Sequence, residues 1–299
     1  MSGFINNYYY GKAGKADFTP ESLPDSRVKL FFEMLRIHFG GICAVNLMYL
    51  VFSIPAVLWT IINYTVLMAV EADPTATNSN MVFYLLGMVP CLTLSGAGAP
   101  GLMYVLRNWA RDQHAFTFSD FRDAVKGNWK HGLVVGLING ISLLVSYVAV
   151  IYYGQMAAQN FVWIVPQMLV IMMLALWWMI NMLIFNMMVT YEMNLKVLIR
   201  NCALIVLARL PWSLLFLAGS SVLPLLIALF VPYGYLVLAL LYLVAGFALT
   251  GFVYASYGNS CFDRYLNPKI EGAPVNMGLR DKSLDEDDED EAEDEDIKV

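Results

Sequence analysis

The sequence predicts an all-α, polytopic helical membrane protein. It has about six transmembrane helices, amphipathic helices on the cytoplasmic face and a disordered acidic C-terminal tail. Three observations predict this. Apolar residues fill 59% of the 299 positions and charged ones 14%, against roughly a quarter charged in soluble domains. The charge-free runs are long enough to cross a hydrocarbon core of about 30 Å, which takes an α-helix about 20 residues. The 18 Lys and Arg residues all fall on one side of the threading that those runs imply.

In chain order, residues 1–38 form a cytoplasmic segment that is polar to about residue 27 and carries no cleavable signal pattern. The first span therefore acts as the targeting signal. Ser26 or Asp25 caps a helix through Phe39, with Val28, Phe32, Leu35 and Phe39 along one side. The membrane domain, 39–258, holds spans at about 40–69, 81–106, 132–153, 161–189, 203–231 and 235–257. The first and fourth are long enough to tilt or to include an interfacial turn. Pro55, Pro90, Pro100, Pro166 and Pro224 mark kinks, and Pro232-Tyr-Gly divides the fifth span from the sixth. With the N-terminus in the cytoplasm, the connections at 71–80, 154–160 and 232–235 are external and contain no Lys or Arg. The basic residues lie at the N-terminus, in 107–131, in 191–209 and after the last span, so both termini are expected inside. Residues 259–284 form a cytoplasmic segment. The tail, 285–299, begins with eleven acids in twelve positions, and setting these aside turns the formal charge of −6 into +5. It cannot bury enough apolar area to fold and reads as a solvated brush.

Two further cytoplasmic helices are expected. Ser119 caps one, with Asp120 and Asp123 at the positive end of its dipole. Phe121, Val125 and Trp129 form its apolar stripe, and Arg122, Lys126 and Lys130 a basic one. Another starts near Asn194, with Lys196 and Arg200 four apart and Leu195, Leu198, Ile199 and Cys202 apolar. Anchoring by anionic lipid headgroups accounts for such helices, and docking of a partner is the sharper alternative. FRDAVKGN, ending at Asn128, and NLKVLIRN, ending at Asn201, echo one another weakly, as a duplicated span–helix–span unit would.

Gly96, Gly98 and Gly101 spell a literal G-x-G-x-x-G. No strand precedes it, and a phosphate bound there would enter hydrocarbon. Small residues within a span instead permit close helix packing, here beside a kink at Pro100.

The intervals 39–70, 74–106, 132–191 and 210–262 contain no Asp, Glu, Lys, Arg or His, whereas ion-coupled transporters commonly place such groups within the membrane. Arg209 can snorkel to the interface, and Glu192 can pair with Lys196. Asn181, Asn186 and Gln167 either link helices through hydrogen bonds or line a polar path. His38, His114 and His131 show no metal or catalytic spacing, and no carboxylate pair or serine elbow is present, so no enzyme, cofactor or metal is expected. Cys43, Cys91, Cys202 and Cys261 read as packing residues. Nucleic acid is not an expected partner, because Asp112, Asp120, Asp123 and the acidic tail dilute the basic groups.

The stretch GLMYVLRNWARDQHAFTFSDFRDAVKGNWKHGL, 101–133, resembles the YesL-like family of bacterial integral membrane proteins. The resemblance rests on Tyr104 to Asn108, Ala110-Arg111, Ser119-Asp120-Phe121 and Lys126 to Lys130. Asn259 to Leu279, Thr190 to Asn201 and Asn46 to Pro55 look similar too, so it covers roughly 30–279 without the acidic tail. It implies a bacterial cell-membrane location and, since such proteins are often encoded beside carbohydrate ABC importers, an accessory role in sugar import. It carries over no catalytic residues. The leading expectation is a protein that binds a carbohydrate ABC importer through its cytoplasmic helices, with anionic inner-leaflet lipids around it. The candidate contacts are Arg107, Arg111, Phe121, Arg122, Lys126, Trp129, Lys130, Lys196 and Arg200. The alternatives are a small-solute channel using Asn181, Asn186 and the kinked second helix, and more distantly an enzyme on lipid-linked substrate using His114 or His131.

Overall fold

A computed structural model describes residues 23–69, 74–231 and 233–280. The acidic tail, most of the N-terminal segment, part of the first external connection and Pro232 lie outside the described residues. Every long apolar run is helical, as a chain that must satisfy its own backbone polar groups in lipid requires. The helices are α1 (Arg27–Ile37), α2 (Phe39–Ala69), α3 (Pro74–Trp109), α4 (Thr117–Ala157), α5 (Ile164–Met188), α6 (Leu195–Ala208), α7 (Leu210–Phe230), α8 (Gly234–Leu241) and α9 (Phe247–Tyr265). A 3₁₀ turn, Phe161–Trp163, leads into α5, and a π-helical turn, Tyr242–Gly246, joins α8 to α9. Five stretches are long and apolar enough to cross a membrane, and α6 with α7 can count as a sixth, broken one. The protein is a multi-pass helical membrane protein.

Two expected boundaries move. The helix expected at 119–131 and the span at 132–153 are one unbroken helix, α4, of 41 residues. Nothing between Trp129 and Val134 interrupts helical hydrogen bonding; only the polarity changes there. Ser119 is not its cap: the cap position is Phe116, whose N–H donates to the Asp120 carboxylate at 2.9 Å. Conversely, the run 203–231 is not one helix. It breaks at Arg209, and the pieces meet at 99°. Pro211 lies in the first turn of α7, and a proline ring cannot sit above the carbonyl four residues earlier in a continuing helix. Residues 203–208 therefore belong to α6, with 195–202.

The division of the fifth from the sixth run is seen, with Tyr233 left-handed at φ 56° before α8 begins. Ser26 caps α1 by accepting from the Lys29 N–H. That helix ends at Ile37, short of Phe39, which opens α2; it buries Leu30 and Met34 against the protein and leaves Val28 and Phe32 facing outward.

α9 is the central helix. Its Phe252 and Ala255 close a core built with α1, α2 and α3, while its Tyr257, Cys261 and Phe262 close another with α5 and α6. Asn46 on α2 fastens the π turn beneath it. The fully buried Asn46 side chain donates to the carbonyls of Tyr242 and Leu243, both at 3.0 Å, and accepts from the Ala248 N–H at 3.0 Å.

α3 and α4 pack backbone to backbone. A Cβ on Gly96 would lie 2.4 Å from the Gly132 carbonyl oxygen; one on Gly136, 2.4 Å from that of Leu92; one on Gly140, 2.6 Å from the Val89 Cα. The expected reading of Gly96 as a packing residue holds, and Gly98 likewise fits against the ring of Phe52.

Candidate functional site

The ends of α3, α5 and α9 meet the start of α1 at the basic end of the bundle. Arg107, in the last turn of α3, donates to the Val189 carbonyl at 2.8 Å, to the Thr190 hydroxyl at 3.2 Å and to Asn108, and its guanidinium lies over the Tyr104 ring. Asn259 of α9 donates to the Arg107 carbonyl at 3.4 Å across 152 positions of sequence. Below it, Arg27 of α1 pairs with Asp263 at 2.6 Å and also donates to Asn276 at 2.7 Å. Asp263 accepts from Asn267, and Asn267 accepts from the Tyr191 hydroxyl, each at 2.5 Å. The stretches 101–133 and 259–279, which carry the family resemblance, come together in this knot.

Arg111 lies inside the knot at 8% exposure, and its Nη2 has no hydrogen-bond partner. Burial pushes its pKa down, opposed by Asp263 and Tyr191. Burial also pushes the Tyr191 hydroxyl up to about 12, so it stays a donor at physiological pH. His38, between α1 and α2, stacks on Trp109 with ring centroids 4.8 Å apart. Its pKa is lowered by burial and by His114, against a pull from Asp112.

These positions divide the candidate contacts. Arg107 and Arg111 are structural, their guanidinium groups turned into the knot. Phe121, 5% exposed, is buried in the core beside Phe52 and Gly101, so it cannot meet a partner. Helical periodicity marks its face as apolar but cannot say whether protein or lipid covers it. Arg122, Lys126, Trp129 and Lys130 are exposed along the outer face of α4, and Lys130 sits over the Trp129 ring at 5.7 Å. Lys196 and Arg200 are exposed on α6. Glu192 makes no ion pair with Lys196, because it precedes the helix whose spacing the pairing needed.

The opposite face of α4 has another character. Asp120, Asp123, Asn128 and His131 line a cleft of about 900 Å³ against the α5–α6 connection, which contributes Thr190 and Glu192. The basic stripe and the acidic cleft border one another, and Arg122 pairs with the exposed Asp123 at 3.2 Å where they meet. Sequence reading found the basic stripe and missed the cleft.

Within the span region the amides link helices. Asn139 of α4 donates to Asn181 at 3.0 Å and accepts from the Trp177 indole at 2.8 Å; Gln167 donates to the Val150 carbonyl and Asn186 to that of Ala255. Asn139 and Asn181 border a cavity of about 290 Å³ among α3, α4, α5 and α9. Among the described residues no group of three His, Cys, Asp or Glu could hold a metal ion.

Residues 42–150, from α2 through most of α4, match a family model described as "Protein of unknown function, DUF624". No curated protein and no solved structure matches the chain.

Proposed function

We propose that this protein is an accessory membrane subunit that docks a partner through the basic–aromatic stripe of α4. The observation that supports it is the construction of that helix. At about 1.5 Å per residue its 41 residues extend for about 60 Å, roughly twice the hydrocarbon thickness. Its first turns therefore stand clear of the hydrocarbon, and the glycine contacts with α3 hold it in place. Arg122, Lys126, Trp129 and Lys130 are then presented on a rigid support, which limits the entropy lost when they bind. The partner's surface is expected to be acidic with an aromatic-accepting pocket. The resemblance to YesL-like proteins makes a carbohydrate ABC importer of a bacterial cell membrane the partner to test, with the stripe in the cytoplasm. Reversing Arg122, Lys126 and Lys130 to Glu should abolish co-purification from native membranes. Undiminished recovery of the partner would refute the reading.

A small-solute facilitator is the second reading, supported by the 290 Å³ cavity beside Asn139 and Asn181. The amides already bond to one another, so a solute would have to displace those bonds. Flux through the purified protein in liposomes, lost in Asn181→Leu, tests it.

A further inference from the structure

We propose that the groove between α1, α7 and α9 binds one anionic phospholipid from the leaflet on the basic side of the protein. The groove holds about 380 Å³ and has Arg27 on one lip and Arg209 on the other. Arg27 spends its Nη2 on Asp263 and Asn276, and Arg209 its Nη1 on Ser260 and Cys261. The other N–H groups of both guanidiniums have no hydrogen-bond acceptor among the described residues. The nearby carboxylate, Asp263, is 8% exposed and already bonded to Arg27 and Asn267. The mouth therefore carries a net positive charge and open donors in the fork geometry that suits a phosphate.

Deeper in the groove the chemistry changes in the order of a lipid molecule. Ser256 lies on its wall between the arginines and the apolar part, with its hydroxyl oxygen turned away from the open space. One turn further along α9 and α7 the walls are Val253, Trp212 and Phe216, faced by Phe31 of α1. The outer surfaces on both sides are apolar too: Val28 and Phe32 on α1 and Leu215 on α7 are exposed. A headgroup on the arginines and an acyl chain against the aromatic wall fill each part with its complement. A soluble anion would satisfy the mouth and leave the apolar walls unfilled. The 99° bend creates the site, because it brings Arg209 over Ser260 while sending α7 down beside α9. The proposal does not depend on partner docking by α4.

Native mass spectrometry of the delipidated full-length chain tests it. Phosphatidylglycerol and phosphatidylcholine with identical acyl chains, and inorganic phosphate alone, are the probes. One phosphatidylglycerol should be retained per chain, at least about tenfold more tightly than phosphatidylcholine, because the choline cation of the latter is repelled by the positive mouth, a difference of about 1.4 kcal/mol. Arg27→Gln with Arg209→Gln should remove the preference, and Arg209→Lys should keep most of it. Val253→Trp, which fills the groove and leaves both charges, should remove retention and decides the matter if the double variant does not fold. Exchanging Arg122, Lys126 and Lys130 for Gln should change nothing. Equal retention of the two lipids, retention indifferent to Val253→Trp, or displacement of lipid by millimolar inorganic phosphate would overturn the proposal.

Discussion

Gly132 and Gly96 stand so close that a Cβ on Gly132 would lie 2.3 Å from the Gly96 carbonyl oxygen. With Gly136 and Gly140 on the next two turns, this contact lets α3 and α4 meet without side chains between them. Gly132→Val or Gly136→Val must push the two backbones apart, and overpacking of this kind costs about 1–3 kcal/mol or more. Thermal unfolding in detergent should show a loss of that size. Gly127, with open space around its missing Cβ, is the control: Gly127→Ala should be neutral or stabilising by up to about 1 kcal/mol. Equal effects at the two sites would contradict the packing.

Asn46 should be nearly as sensitive. Asn46→Leu keeps the number and branching of the side-chain heavy atoms but abandons two carbonyls in the π turn and the Ala248 N–H just after it. Each unsatisfied buried group costs about 1–3 kcal/mol. A loss of at least about 2 kcal/mol is expected in the same melt, along with faster hydrogen exchange at Ala248.

The Arg27–Asp263 pair should behave as a support for Arg111. Asp263→Ala would leave Arg111 and Arg27 without their carboxylate, and removing one partner of a buried ion pair costs about 3–5 kcal/mol. Arg27 is partly exposed, so the lower figure is expected. A further Arg111→Met change should recover part of the loss, because it removes the uncompensated charge. No recovery in the double variant would separate Arg111 from the knot.

Acid should weaken the protein through His38. Its folded pKa lies below the ordinary 6.5, so the native state holds fewer protons than the unfolded chain between the two values. The stabilisation is complete above pH 6.5 and is lost as pH falls through the folded value. The Tm should therefore drop between pH 7.5 and 5, and His38→Phe, which preserves stacking on Trp109, should flatten that dependence. An unchanged slope would exclude His38 as the source.

The spans were legible because their charge-free intervals are much longer than any soluble helix needs. The bend at Arg209 was also legible in principle: Pro211 sits four residues after Leu207 and forbids the continuing helix. Gly96 is legible as a packing residue, and Gly132, Gly136 and Gly140, spaced by four, form a visible small-residue seam, but nothing in the sequence pairs the two. The roles of Phe121 and Arg111 were not legible. Phe121 has the spacing of a membrane-facing residue, and what covers it is set by Gly101 and Phe52, distant in sequence. Arg111 follows Arg107 by one turn, and nothing local shows that Asp263 will come near enough to act on its charge. Asn46 acquires its task only when residues some 200 positions away form a wide turn.

α4 has no proline along its length, so it lacks a built-in joint between water and bilayer. Trp129 and Tyr152 are therefore fixed to one continuous rod, and the glycine seam seats α3 against the middle of it, so the spacing between its two ends is set by helix geometry alone.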